Sequence, residues 1–373
     1  MKIAAISTAQ IPSATANSIQ VMKVCQALAQ LGHETRLLVP GRERAEWERL
    51  AEWYGLAARF EVEWLAGLPV LRRNDFAWAA VRRARAWGAD LAYTWVMQSA
   101  VLALPAGLPA LYEAHDLPTG RLGPLWTRAF LRLPGRKRLV LITRALRSAL
   151  ERRFGRLLPE EQMVIGPNGV DLERYRGLPE PAAARASLGL PEGLTVGCTG
   201  HLYAGRGGDL FLALAGRFPN LRFLWVGGRP EDVSAYQEKA AASGLGNVTF
   251  TGFIPNARLP LYQAAAEILL MPYGRAIAGS SGGNSAEICS PMKLFDYIGA
   301  GRAILSSDLP VIHEVLDADS AAFADPEDVE AWSVALARLA GDAGLCARLA
   351  ERAGQLAVEY NWVERERKCL QGL

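Results

Sequence analysis

Apolar residues fall along this chain in two rhythms. Short apolar runs alternate with longer stretches in which apolar side chains recur every three or four positions, the pattern of β-α-β units. Residues 2–8 predict a buried strand. Asn17 is placed to cap a helix whose apolar positions are Ile19, Val21, Met22, Val24, Cys25, Leu28 and Leu31, and Gly32 closes it. A second strand follows at 35–39, and strand-like pieces recur at 60–65, 91–94, 110–112, 140–142 and 163–165. Helical stretches lie between several of them, which predicts a doubly wound α/β domain.

Pro167-Asn168-Gly169 signals a turn, and 174–191 is rich in Gly, Pro and Ala, an interdomain linker with one short helix. A second alternation then begins. Its strands are predicted at 195–199, 222–226, 248–250, 268–271 and 303–305, with helices near 207–218, 231–243, 256–266 and 291–298. Beyond Asp325 the pattern is helical to the end. The prediction is two tandem doubly wound α/β domains, 1–177 and 178–354, facing across a cleft lined by strand C-termini, where open α/β sheets bind ligands.

One stretch carries more chemistry than the rest: S-P-M-K-L-F-D-Y-I-G-A-G-R-A-I-L-S-S-D-L-P, 290–310. It reads as loop, helix, turn, strand and loop, with Ser290 as N-cap and Pro291 in the first helical position. A Gly/Ser-rich run, 279–285, lies just before it. A helix N-terminus offers unpaired N–H groups and a positive dipole end, which suits phosphate. Lys293 adds a cation where the dipole disfavours one, which makes sense beside an anion. The alternative is a surface helix behind a flexible loop.

Composition narrows the class. The chain has 373 residues, half of them hydrophobic and 21% charged, as expected of a soluble protein with two substantial cores. The apolar start gives way to polar residues too soon for a signal peptide, and no run has the length of a membrane span. Five cysteines are scattered without a C-x-x-C pair, which fits reduced thiols in a cytoplasmic setting. No G-x-G-x-x-G follows the first strand, which argues against a nicotinamide or flavin enzyme. Asp317 and Asp319 form a D-x-D pair after a helix-like V-I-H-E-V-L segment and read as a surface turn, so no metal is expected.

The charge is lopsided: residues 1–177 carry a balance of +9, the remainder −6. The basic half includes Arg72, Arg73, Arg82, Arg83, Arg85, Arg132, Arg136, Lys137, Arg138, Arg144, Arg147, Arg152, Arg153 and Arg156. Trp78, Trp87, Trp126 and Phe130 are interleaved. Two readings stand: solvated helix faces, or attraction to anionic lipid headgroups or a phosphate-linked substrate. Nucleic acid is the weaker option, because no nucleic-acid motif accompanies the charge.

Six stretches together resemble the retaining glycosyltransferases of family 4, which have the GT-B fold. They are the opening loop and helix at 11–34; Y-E-A-H-D-L-P at 112–118; P-N-G-V-D-L-E-R-Y at 167–175; T-G-H-L-Y-A-G-R-G-G at 199–208; V-G-G at 226–228 with G-F-I-P at 252–255; and 290–310 with H-E-V-L beyond. They come in the family's order. The resemblance implies two Rossmann-like domains, the second holding a nucleotide diphosphate sugar and the first the acceptor. The C-terminal helix, about 355–373, would pack back on the first. It implies sugar transfer with the anomeric configuration retained, no cofactor beyond the donor substrate, and a saccharide, lipid-linked or small-molecule acceptor. The expected location is cytoplasmic, with peripheral contact at the inner membrane face left open by the charge. A non-catalytic donor-binding subunit and a GT-B epimerase or phosphorylase are the alternatives.

The same resemblance assigns residues. Arg206 stands where the family has a basic residue for the diphosphate, and charge there would stabilise the leaving group. His201 stands where many members have an Arg. His115 would sit beside the donor sugar, with Asp116 either orienting it or capping the next turn. Ser13 and Ala14, in the 10–17 loop, would allow close backbone approach to the donor, and Ile254 would meet the base mainly through its backbone. Ser290 and the amides around Met292 and Lys293 are candidates for diphosphate and sugar contacts. Asp296 takes the place of the ribose-binding Glu. Ile288 stands where the pattern has its first Glu, a departure shared by a branch with S-P-x-K-L-F-E-Y.

Overall fold

The structure is a computed structural model that describes residues 1–42, 44–66, 74–276 and 286–373. Arg72, Arg73 and the Gly/Ser run at 279–285 lie outside the described residues. The chain divides into two compact units: Met1–Asn168 with Ile288–Ser290 and Trp362–Leu373, and Gly169–Glu287 with Pro291–Asn361. The segment of the chain's end that belongs to the first unit thus begins at Trp362, later than 355.

In the first unit the order is β1 (Lys2–Ile6), α1 (Ala16–Gln30), β2 (Glu34–Pro40), α2 (Trp47–Tyr54), β3 (Glu61–Leu65), α3 (Asn74–Trp87), β4 (Leu91–Thr94), α4 (Met97–Ala103), β5 (Ala110–Ala114), α5 (Gly123–Arg132), β6 (Lys137–Leu141), α6 (Arg144–Phe154) and β7 (Met163–Ile165). Among the described residues these strands form one seven-stranded sheet in the order β3-β2-β1-β4-β5-β6-β7, and each pairing is parallel. β1 pairs on both edges, with Ile3 opposite Thr35 and Leu91. Ile3, Ala4, Ala5 and Ile6 are wholly buried, as a parallel strand covered by helices on both faces requires. Thr15, not Asn17, caps α1: its hydroxyl accepts the Ser18 N–H at 3.3 Å.

The second unit runs α7 (Pro181–Leu188), β8 (Thr195–Thr199), α8 (Gly208–Arg217), β9 (Arg222–Val226), α9 (Pro230–Ala242), β10 (Val248–Phe250), α10 (Leu259–Ala264), β11 (Ile268–Met271), α11 (Met292–Ala300), β12 (Ala303–Ser307), β13 (Ala322–Ala324), α12 (Val329–Gly341) and α13 (Ala343–Glu359). A last helix, α14 (Trp362–Leu370), belongs to the first unit. The described strands make a six-stranded parallel sheet in the order β10-β9-β8-β11-β12-β13. The chain moves outward from β8 to β10 and returns to β11 on the other side of β8. The strand order therefore switches between β8 and β11, the place where such sheets leave a crevice.

Two local expectations change. Pro291, not Ser290, is the N-cap of α11, in extended backbone with no side-chain capping bond. The Ser290 hydroxyl instead accepts the Asn168 N–H at 3.0 Å, while the Asn168 amide donates to the Ser290 carbonyl at 2.6 Å. The V-I-H-E-V-L segment is a series of turns, not a helix. Its apolar residues Val311, Ile312 and Leu316 are buried all the same, and separate turns, among them the helix-type bonds from the His313 N–H to the Leu309 carbonyl and from the Leu316 N–H to the Ile312 carbonyl, gave a helical period without a continuous helix. Beyond it Asp317 closes its own turn, accepting the Asp319 N–H at 3.2 Å and the Ser320 hydroxyl at 2.7 Å. Among the described residues no helix is long and apolar enough to cross a membrane.

Candidate active site

At the switch point of the second unit, backbones approach too closely for side chains. Gly207 has φ +82°, and a Cβ there would lie 2.1 Å from the Pro272 carbonyl oxygen. Gly227 is similarly constrained by the Gly200 carbonyl at 2.7 Å. These glycines let the loop between β8 and α8 fold against the end of β11, and the Gly274 N–H ties it down at the Gly205 carbonyl, 3.0 Å away.

Lys293, in the first turn of α11, is buried beneath this loop. Its ammonium lies 3.8 Å from the Cys198 sulfur at the end of β8, and 4.9 and 5.9 Å from the ring centres of Tyr273 and Trp225. Among the described residues it has no carboxylate partner. Burial pushes it below the ordinary lysine range; Cys198 opposes that shift and the charge of Arg206 adds to it. One turn on, the Tyr297 hydroxyl accepts the Thr199 N–H at 2.8 Å and donates to the Leu270 carbonyl at 3.2 Å. This bond pins the helix across the ends of β8 and β11.

Arg206 precedes α8. Its guanidinium donates to the Tyr273 hydroxyl at 3.0 Å and to the Tyr203 hydroxyl, and it stacks 4.7 Å from the centre of the Tyr203 ring. Tyr273 is thus close to two cations, with Arg206 5.1 Å and Lys293 4.9 Å from its ring centre. Two cations held together around one ring raise the local positive potential, and a bound anion would relieve it. His201 stacks on Tyr203 at 5.9 Å, so His201, Arg206 and Lys293 form one neighbourhood.

Met292 opens α11, and its amide and that of Lys293 are the first donors of the helix, while the Leu294 N–H already bonds the Pro291 carbonyl at 3.1 Å. Asp296 is half-buried beside the hydroxyl of Tyr175. That hydroxyl donates to Gln263 at 2.9 Å; burial first and then Asp296 raise its pKa well above the usual phenol. Tyr175, from the P-N-G-V-D-L-E-R-Y stretch, is therefore a neighbour of Asp296 that sequence reasoning missed. The side chain of Ile254 packs with Ala184, Leu224, Val226 and Ala264, which leaves its backbone as its contact group.

Ser13, Ala14, His115, Ile288 and Ser290 lie in the first unit. Ser13 is anchored by α2: its N–H donates to the Tyr54 hydroxyl at 2.7 Å, and its carbonyl accepts Trp53 Nε1 at 3.2 Å. Ala14 follows it, partly buried. Ile288 is buried in the core of this unit, and its carbonyl accepts the Thr143 hydroxyl at 2.8 Å. An acid at 288 would be desolvated there, so the apolar residue fits its surroundings.

His115 follows β5, with Nε2 2.7 Å from the carboxylate of Glu113. Asp116 Oδ1 accepts the N–H of the adjacent Leu117 at 2.9 Å, and the carboxylate recorded against the His115 ring is that of Glu113. Glu113 is the unanticipated partner. Its signal was present as a lone carboxylate in the otherwise apolar run L-Y-E-A, at a strand end buried on both faces.

Among the described residues no cluster of three or more His, Cys, Asp or Glu is placed to hold a metal ion. The family description "Glycosyltransferase Family 4" matches residues 18–174, and "Glycosyl transferases group 1" matches 193–342. The first match spans the seven-stranded sheet from β2 to β7, and the second spans the six-stranded sheet. The chain belongs to the GT-B glycosyltransferases.

Among relatives of this glycosyltransferase is the 2-deoxystreptamine glucosyltransferase of Streptomyces kanamyceticus, 28% identical over 315 residues, 72% of this chain and 77% of the relative. Another is the 2-deoxystreptamine N-acetyl-D-glucosaminyltransferase of Streptomyces fradiae, 27% identical over 329 residues, 78% and 77% of the two chains. Among solved structures, Anabaena HepE in complex with UDP and glucose superposes with a TM-score of 0.75 at 16% identity, covering 100% of both chains. WaaG, a glycosyltransferase involved in lipopolysaccharide biosynthesis, gives 0.68 at 18% identity over 99% of this chain and 100% of its own. At these identities the two structures speak to the fold alone.

Proposed function

We propose that this glycosyltransferase is a retaining, metal-independent enzyme of the S-P-x-K-L-F-E-Y-like branch. It moves a sugar from a nucleotide diphosphate sugar to a saccharide, lipid-linked or small-molecule acceptor. The observation that carries the reading is the Lys293 ammonium, buried without a carboxylate partner among the described residues, near Arg206 at the switch point of the second sheet. A diphosphate supplies the missing negative charge, and the α11 N-terminus, with the amides of Met292 and Lys293, adds donors. Cleavage of the sugar–phosphate bond places further charge on that diphosphate, and Arg206 and Lys293 stabilise it as it develops. The acceptor hydroxyl attacks on the face the diphosphate leaves, through an oxocarbenium-like state, and its proton passes to the leaving phosphate. His115 orients the sugar, and Asp296 takes the ribose hydroxyls. The names of the relatives, which print the aminocyclitol 2-deoxystreptamine, support a hydroxyl-bearing small-molecule acceptor, and HepE, solved with UDP, makes uridine diphosphate the first nucleotide to try.

A thermal-shift series with nucleoside diphosphates tests the reading. One of them at a hundred times its Kd stabilises the protein by about 2.7 kcal/mol, and omitting divalent metal leaves the shift intact. No shift with any nucleoside diphosphate or nucleotide sugar sinks the proposal. Shift without transfer to any saccharide, lipid-linked or small-molecule acceptor favours a binding subunit.

We further propose a cytoplasmic enzyme that docks peripherally on anionic membrane through α5. Several of the basic residues are neutralised by partners, Arg83 by Glu63 and Arg147 by Glu151 and Glu160. Around the start of α5, however, Leu122 and Leu125 are more than half exposed, and Arg121 and Arg128 are exposed beside them. Apolar side chains ringed by arginine suit the headgroup boundary. In flotation, the protein should rise with anionic vesicles and not with neutral ones. Leu122→Ser with Leu125→Ser should abolish this. Equal indifference to lipid charge and to salt overturns it.

A further inference from the structure

The polar cluster beneath His115 is larger than a histidine–carboxylate pair needs for packing. Glu113 is wholly buried. Its Oε1 accepts Nε2 of Gln20 at 2.6 Å, Nη2 of Arg365 at 2.7 Å and Nε2 of His115 at 2.7 Å, and its Oε2 accepts the Tyr93 hydroxyl at 2.5 Å. Helix α1, strand β4, helix α14 and the loop after β5 thus meet on one carboxylate.

Arg365 comes from the far end of the chain. Each edge of its guanidinium is occupied: Nε donates to the Pro167 carbonyl at 2.7 Å, Nη1 to the Tyr93 hydroxyl at 3.2 Å and to Glu366, and Nη2 to Glu113 and, at 2.9 Å, to the Gly166 carbonyl. A fully saturated planar fork leaves it one orientation. The chain is tight here: a Cβ on Gly166 would meet Val140 at 2.9 Å and the Cys369 sulfur at 3.2 Å.

The charge state follows. Burial alone would raise the Glu113 carboxyl; Arg365, with His115 and the hydrogen bond from Tyr93, brings it down to about 2. The buried neighbour Glu366 goes the other way, raised by burial to about 7 against the pull of Arg365. One arginine therefore commits its charge mainly to Glu113. An ionised carboxylate only accepts, so the hydrogen between it and the imidazole sits on Nε2. In the neutral ring Nδ1 then carries the lone pair, and it has no protein partner among the described residues.

We propose that Glu113, held by Arg365 from the C-terminal helix, is the positioning residue that fixes His115 as its Nε2–H tautomer, so that His115 meets the donor sugar as a hydrogen-bond acceptor through Nδ1. The sugar part rests on the function proposed above; the tautomer part does not. Helix α14 thereby acts on the ring through side chains of its own unit, and a group facing Nδ1 must be a hydrogen-bond donor such as a sugar hydroxyl.

The test has two arms. In the wild-type protein, ¹H–¹⁵N NMR of the histidine rings, with His115→Gln to assign the signal, should show a protected Nε2–H at His115. Glu113→Ala should lose that protection and mix the tautomers. A wild-type His115 ring with its hydrogen on Nδ1, or an unprotected Nε2–H, overturns the positioning claim, as does an unchanged ring in Glu113→Ala. If that variant does not fold, the wild-type ring decides. In the second arm, Glu113→Gln should lower kcat by about 10–100-fold with little change in the donor KM, as loss of an orienting partner does. His115→Asn, whose amide oxygen can stand near Nδ1, should retain more turnover than His115→Gln. Turnover unaffected by a change that demonstrably frees the ring removes His115 from the sugar site and leaves the tautomer result standing. Equal loss in His115→Asn and His115→Gln removes the acceptor role.

Discussion

Replacing Arg206 with alanine is expected to lower transfer by about 10²–10³-fold while the fold is kept, the usual consequence of removing one fixed stabiliser of developing charge. The side chain is held from both sides, by the hydroxyls of Tyr203 and Tyr273 and by their ring faces. Held this way, the guanidinium costs little reorganisation when charge appears on the diphosphate. It also explains why Arg206→Lys should recover only part of the rate: an ammonium keeps the charge and loses the planar fork that both tyrosines fix. Tyr273→Phe separates the two contributions, since it removes one hydrogen bond and keeps the ring. Steady-state kinetics with saturating donor measure all three. Turnover within a few-fold of wild type in Arg206→Ala would take Arg206 out of the mechanism.

The sheets were legible from the sequence because parallel strands covered on both faces leave unbroken apolar runs, as at Ile268–Met271. β13 (Ala322–Ala324) was not, because three residues among small side chains carry no period. Caps were read one or two residues off: Thr15 for Asn17, Pro291 for Ser290. In both places adjacent residues could serve, and the tertiary partner chose, Asn168 in the case of Ser290.

The site divides in the same way. Lys293 and Arg206 were readable from helix and loop position, but their shared neighbour Tyr273 and the burial that gives Lys293 its meaning come from chain segments far apart in sequence. Glu113 and Arg365 are 252 residues apart, and no local pattern links them. What a single sequence could offer was the oddity of a carboxylate within an apolar strand.

The opposite trade is expected at Lys293. Lys293→Met keeps the length and apolar stem of the side chain and removes a buried charge that has no carboxylate partner among the described residues. Removing such a group relieves the cost of keeping a charge out of water, so the ligand-free variant should melt higher than wild type. It should also lose the stabilisation that nucleoside diphosphate gives the wild type, and transfer with it. The dependence on pH follows from the direction of the shift. Burial holds the folded-state pKa of Lys293 below its unfolded value, so between the two the unfolded chain binds more protons and stability rises with pH. The ligand-free wild type should therefore gain on Lys293→Met as pH climbs toward the ordinary lysine value of about 10.4, and the difference between the two curves isolates this one group. A bound diphosphate favours the charged ammonium, so it should flatten that rise. A ligand-free Lys293→Met that melts several degrees lower, yet still answers to nucleoside diphosphate, would mean that the ammonium serves the apo fold and not the phosphate. A high-melting variant that no longer answers would mean that this protein carries a buried, destabilising cation because its substrate needs one there.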